Sequence, residues 1–148
     1  MGSMVRDINL AESGKQKIEW VRKNMPILRS LEEEFSETKP FFGVRVTVSV
    51  HLEAKTAYMA KVFAAGGAEV SVTGSNPLST QDDIAAALAS DGLNVYAWYN
   101  ATNEEYEKHL NLALGYKPNI IIDDGGDLIH LLHTSKSDLQ PHVMGGCE

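Results

Sequence analysis

From residue 44 onward the sequence repeats one unit, a short β-branched or apolar run followed by a helical segment. The runs fall at 44–50, 68–73, 94–98 and 119–122, and the helical segments at 56–66, 80–89, 103–114 and 127–135. A helix between two strands carries the chain back to the edge it left, so consecutive strands run parallel through right-handed crossovers. Parallel sheets are covered on both faces, which suits runs as continuously apolar as Ile120-Ile121-Ile122. The expected fold is α/β: an open, Rossmann-like parallel sheet of about four strands flanked by helices.

Residues 12–38 predict a helical lead-in. Ile18, Val21 and Met25 form one apolar stripe, and Ile27, Leu28, Leu31 and Phe35 form another. Pro26 lies between them and has no N–H to donate, so two helices or a sharp kink are expected. Glu32-Glu33-Glu34 reads as a solvated face. Met1-Gly2-Ser3 ahead of Met4 has the look of a vector remnant and is expected to stand outside the fold. That leaves 4–40 as N-terminal helices and 41–148 as the α/β domain. The ending, Met144-Gly145-Gly146-Cys147-Glu148, shows neither a helix nor a strand pattern and suggests a chain cut from something longer.

Composition removes several function classes. With 43% apolar and 22% charged residues the chain is globular rather than disordered. No apolar run reaches the roughly 18–20 residues of a membrane helix. The net charge is −7, all of it carried beyond residue 40, so there is no basic face for nucleic acid. The lone Cys147 has no internal partner, and a reducing cytoplasm is the expected compartment.

Ligands of open parallel sheets sit beyond the carboxyl ends of the strands. His51, Glu53, Lys55 and Thr56 follow the first run; Ser75-Asn76-Pro77 and then Ser79-Thr80-Gln81-Asp82 follow the second. Tyr99-Asn100 follows the third and Asp123-Asp124-Gly125-Gly126-Asp127 the fourth, whereas the opposite edge offers little beyond Gly67, Gly92 and Pro118.

Each cluster has a bland reading and a functional one. The Asp-Asp-Gly-Gly-Asp segment is either a tight turn with Asp127 as N-cap, or a pair of carboxylates whose repulsion raises one into use as a base. Ser79 and Asp82 approximate a capping box, or the segment is a loop lining an anion site. His51, Glu53 and Lys55 alternate. In an extended stretch they share a side, either as a surface ion pair or as acceptor and donors along a purine edge. His130 and His133 have metal-like spacing, but no further ligands join them, so no metal is expected. His109 and His142 are expected at the surface, and Trp20 and Trp98 as core or interface anchors.

The segments His51-Leu52-Glu53-Ala54-Lys55-Thr56-Ala57, Ser75 to Asp83 and Ile121 to Leu128, in that order and spacing, resemble the N-terminal region of the S-adenosylhomocysteine hydrolase family. The likeness runs from about Trp20 to Glu148, with Gly145-Gly146-Cys147-Glu148 resembling the start of the family's Glu-Glu-Thr-Thr-Thr-Gly segment. It implies a cytoplasmic, homotetrameric parent enzyme of one-carbon metabolism. That enzyme reversibly hydrolyses S-adenosyl-L-homocysteine to adenosine and L-homocysteine by NAD-dependent 3′-oxidation, elimination and water addition. It also implies roles: His51 and Asp124 as catalytic groups, Asp124 also touching substrate, Glu53 and Lys55 reading the base. Asn76 and Ser79 would line the homocysteine and ribose side, with Thr56 and Gln81 supporting the site.

Two departures stand out. Many members carry Thr and Glu where this chain has Glu53 and Lys55, a version similar to archaeal and thermophilic members. A lysine donor and a carboxylate acceptor suit the O6 and N1–H of hypoxanthine at least as well as they suit adenine, so an S-inosyl substrate is the alternative. The family's remaining NAD contacts, and any Gly-x-Gly-x-x-Gly segment, do not occur in these residues, so the fragment alone is expected to be inactive. A non-enzymatic nucleoside- or partner-binding module is the rival from another class.

Overall fold

The computed structural model describes residues 2–148. In chain order its elements are β1 (Met4–Val5), α1 (Ala11–Asn24), α2 (Pro26–Thr38), β2 (Arg45–Val50), α3 (Ala54–Ala65), β3 (Glu69–Gly74), α4 (Asp82–Ser90), β4 (Asn94–Ala97), α5 (Asn103–Leu114), β5 (Ile120–Asp123), α6 (Asp127–His133) and β6 (Gly145–Cys147). The strands form one sheet in the order β1-β4-β3-β2-β5-β6, and every pair among the described residues is parallel.

The four central strands stand where the alternation puts them, and the two outer strands enlarge the expected sheet from four to six. β1 is two residues long, too short for any periodic signal, yet it pairs with Tyr96 and Ala97. Ser3 belongs to the same edge: its hydroxyl donates to Leu93 O (2.9 Å) and accepts from Val95 N (3.0 Å). Residues 1–3 are therefore not all outside the fold as expected. β6 corrects the reading of the chain's end, because Gly145, Gly146 and Cys147 pair with Ile120, Ile121 and Ile122. Two glycines give no side-chain signal for a strand; register comes from the partner strand instead.

Pro26 occupies the first turn of α2, where its missing N–H costs nothing, and Met25 is non-helical, so the break is complete. α1 places Ile18 and Val21 in the core. α2 contributes Leu28, Leu31 and Phe35, but Ile27 is 80% exposed, contrary to its place in the expected stripe.

Strand residues alternate sides, and the two sides of this sheet differ in kind. Val46, Val48, Val70, Val72 and Val95 face the larger core, which includes α1, α3 and α4 residues. The other side carries Thr47, Ser49, Ser71, Thr73 and Asp123, all buried. There α5 rests on hydrogen bonds: Thr47 Oγ1 and Ser71 Oγ both donate to Ala113 O (3.4 and 3.3 Å). A smaller apolar cluster of Leu110, Leu114, Ile121, Leu128, Leu132 and Leu139 completes that side.

Candidate active site

The chain runs outward from β2 through β3 to β4, then returns to place β5 on the other side of β2. The β2 and β5 tips therefore form the switch point at which open α/β sheets take ligands. His51 leaves the first tip and Asp124 the second, and the loop after β3 brings in Ser79.

These three side chains meet. His51 Nδ1 lies 2.5 Å from Ser79 Oγ, and His51 Nε2 lies 3.5 Å from Asp124 Oδ2. Both His51 and Asp124 are half exposed, with 52% of each side chain accessible, so the pair is open to a ligand. The Ser79 hydroxyl is within 3.1 Å of Asn76 O. When its single proton goes there, Oγ is left to accept from Nδ1–H, and Nε2 of a neutral His51 carries a free lone pair beside Asp124.

The framework under this cluster is main-chain. Asp124 N donates to Ser49 O (2.8 Å), extending the β2–β5 ladder one residue past the strand. Gln81 N donates to Leu52 O (3.0 Å), tying the loop after β2 to the loop after β3. At the end of β3, a Cβ on Gly74 would sit 2.5 Å from Thr80 Oγ1, so only glycine lets the loop fold back this closely. Thr80 Oγ1 in turn donates to Asn76 O (3.1 Å).

Several expected roles change. The Ser79–Asp82 capping box does not form: α4 starts at Asp82 with Gln81 as an uncapped N-cap, and Ser79 turns to His51 instead. Asn76, in contrast, is used locally, its Oδ1 accepting from Leu78 N (2.8 Å). The helix begins at Ala54, directly after Glu53, so the stretch is not extended through Lys55, and His51, Glu53 and Lys55 do not form one row. Glu53 is the N-cap of α3 and accepts from Lys55 N and Thr56 N (3.1 and 3.3 Å).

Lys55 and Thr56 border a groove with Met25, Leu28, Leu31 and Met59. Glu53 and Gln81 line a separate hollow with Lys17 and Trp20 of α1, where Lys17 Nζ donates to Gln81 Oε1 (3.3 Å). The candidates thus form a central trio, His51, Ser79 and Asp124, flanked by two depressions on either side of the α3 N-terminus.

The twin aspartates separate onto opposite sides of the sheet. Asp124 faces His51. Asp123 is buried, and burial is the main cause holding its carboxyl above the usual range, with Asp127 and Glu148 adding to it. Asp124 is not among the leading causes, so burial rather than mutual repulsion of the twin carboxylates accounts for the rise. Asp127 is not the N-cap of α6, a place taken by Gly126; it accepts from Tyr106 O–H (2.8 Å).

His109 is the largest departure. It is 1% exposed on α5, packed edge-on to Trp98 at 4.2 Å, with no partner for Nε2. Desolvation pushes its pKa down to about 4. Its apolar neighbours Leu110, Ala113 and Leu114 were the signal that this side of α5 turns inward. Trp20 is 67% exposed and so not a core anchor. His130, His133 and His142 are at the surface. No group of three or more metal-ligating side chains is gathered among the described residues, and no helix there is long and apolar enough to cross a membrane.

Comparison with known proteins meets this geometry from another side. Residues 2–145 match the family model for S-adenosyl-L-homocysteine hydrolase. The chain is 54% identical to the S-inosyl-L-homocysteine hydrolase of Methanocaldococcus jannaschii, over 97% of its own length and 35% of that protein. Against the S-inosyl-L-homocysteine hydrolase of Methanococcus maripaludis the figures are 52%, 99% and 35%. Against the adenosylhomocysteinase of Pyrococcus abyssi they are 50%, 97% and 34%. The chain thus spans about a third of the length of the curated relatives it matches. With the matched segment covering nearly every residue here, including all three strand tips that build the trio, the chain belongs to the S-adenosyl-L-homocysteine hydrolase family.

Proposed function

We propose that this chain is the substrate-holding part of a nucleosyl-homocysteine hydrolase, and that His51 and Asp124 are its proton-handling pair. The observation that supports this most is His51, held at Nδ1 by Ser79 and facing Asp124 at Nε2, at the sheet's switch point. A sulfur or water oxygen placed beside Nε2 can receive or give up a proton there, while Asp124 steadies the imidazolium when it forms. Asn76 and Thr80 fix the Ser79 loop, and Thr56 borders the adjoining groove.

The family's NAD, which would supply oxidation at the ribose 3′-hydroxyl, does not fit the residues present. The β2-to-α3 turn here is His51-Leu52-Glu53 rather than a glycine cradle. The α3 N-terminal amides are already occupied by the Glu53 carboxylate, which repels a pyrophosphate.

For the base, the reading taken is an inosyl rather than an adenosyl substrate. Glu53, which could accept from a 6-amino group or from N1–H of hypoxanthine alike, is engaged by α3, so the choice rests on Lys55. Lys55 is exposed, and no hydrogen bond or ion pair among the described residues engages its ammonium. A free donor matches the 6-oxo group of hypoxanthine. Titration of the chain with inosine, adenosine and L-homocysteine, followed by amide shifts, tests the reading. Inosine is expected to bind more tightly, and Lys55→Glu to reverse the order. Shifts away from residues 49–56, 74–82 and 122–126, or no binding of any of the three at millimolar concentration, would overturn it.

A further inference from the structure

We infer that Asp123 is a positioning residue that holds Asp124 against His51 by anchoring the strand tip to the first turn of α6. The inference rests on the reading of His51 and Asp124 as the reacting pair. Its starting point is a helix without its own cap. The N-cap position of α6 is Gly126, which has no side chain, and no side-chain hydrogen bond is made there. The first-turn N–H groups of a helix still need an acceptor.

Asp123 meets that need from the strand. Its Oδ2 accepts from Ile129 N at 3.0 Å, and the Leu128 N–H also bonds to the carboxylate. The chain between β5 and α6 is only Asp124-Gly125-Gly126, and both glycines are left-handed, with φ +108° and +78°. One end of this loop is fixed by the ladder bond from Asp124 N to Ser49 O, and the other by the Asp123 clamp on α6. Asp124 is thus the outward-pointing residue of a loop whose closure is set by the inward-pointing residue before it. Neither glycine has a side chain that could hold the loop in place of Asp123.

The remaining oxygen of Asp123 supports the same reading. Oδ1 is buried with no hydrogen-bond partner, and so is Oγ of Ser49, the residue directly paired with Asp123 in register. What the loop uses is the position of one acceptor oxygen, not a solvated charge. An asparagine fits this requirement: its carbonyl oxygen replaces Oδ2 toward Ile129, and its amide takes the place of an oxygen that makes no hydrogen bond here.

The test uses the isotopically labelled chain with Asp123→Ala and Asp123→Asn, reading amide resonances of residues 124–129 together with inosine and adenosine titrations. In Asp123→Ala, the Ile129 N–H is expected to lose its hydrogen-bonded shift, the 124–126 resonances to broaden, and nucleoside affinity to fall by about tenfold. In Asp123→Asn, the Ile129 shift and the affinity are expected to stay within about twofold of the parent. A purely structural role would lower thermal stability in both variants without this rescue.

Wild-type affinity and an unbroadened loop in Asp123→Ala would overturn the inference, as would an Asp123→Asn variant as weak as the alanine. Should Asp123→Ala not fold, Asp123→Asn and Ser49→Ala carry the test: normal loop resonances and binding in both support the clamp, and loss of the Ile129 shift in Asp123→Asn refutes it. If the parent chain binds no nucleoside, the functional reading falls, while the loop resonances of the variants still decide the role of Asp123.

Discussion

Acid should loosen α5 from the sheet through His109. Its imidazole is 1% exposed, sits edge-on to Trp98 at 4.2 Å and offers Nε2 to no partner, so the folded chain holds it neutral, with a pKa of about 4. In the unfolded chain the group titrates near its ordinary 6.5. The folded value is the lower one. The contribution is therefore fully present above pH 6.5 and is lost as pH falls toward 4, because only the unfolded chain takes up the proton readily. Linkage over that interval gives a ceiling of about 3 kcal/mol, and about 2 kcal/mol between pH 7 and pH 4.5.

Urea denaturation of the parent chain and of His109→Phe at those two pH values isolates this effect, since the carboxylate contributions are common to both. The parent is expected to lose about 2 kcal/mol more than the variant on acidification. His109→Leu provides the same comparison if the larger ring distorts the Trp98 contact. Equal losses in parent and variants would refute a buried neutral imidazole.

Three further outcomes follow from particular contacts. Gly74→Ala forces a Cβ to within 2.5 Å of Thr80 Oγ1 and should lower stability by about 1–3 kcal/mol in thermal melts, with part of the loss recovered in the Gly74→Ala/Thr80→Ala double variant. Tyr58 O–H donates to Glu32 (2.7 Å), which also binds Arg22 (2.8 Å); Tyr58→Phe leaves that carboxylate one donor short and should cost about 1–2 kcal/mol by denaturant titration. Ser79→Ala frees His51 Nδ1 while changing stability by no more than about 0.5 kcal/mol; L-homocysteine and inosine should bind several-fold more weakly by calorimetry, and unchanged affinity would remove Ser79 from the site.

The central architecture was legible because burial on both sides of a parallel sheet writes itself as Val and Ile runs, and because Pro26 and the helix-ending glycines punctuate the chain. What escaped was set by partners rather than by local pattern. β1 and β6 exist only against β4 and β5, and His109 is buried only because α5 turns that side inward. At the site, His51, Ser79 and Asp124 were expected from their places after strands, and the structure brings them together. The use of Glu53 as a cap, of Asn76 within its own turn, and of Asp123 on the far side of the sheet depended on backbone direction at single residues. Alternation in sequence cannot report that once a strand has ended.

The hydroxyl-rich side of the sheet carries a consequence for how the molecule comes apart. Where Val packs on Ala and Ile, attachment grows with area; where Thr47 and Ser71 share the Ala113 carbonyl, attachment depends on a few directional bonds over a smaller apolar cluster. Opening should therefore be lopsided. Deuterium should enter the amides of α5 and α6 through a partial detachment that leaves α3 and α4 protected, so the His51 rim would persist while the layer beneath Asp124 breathes.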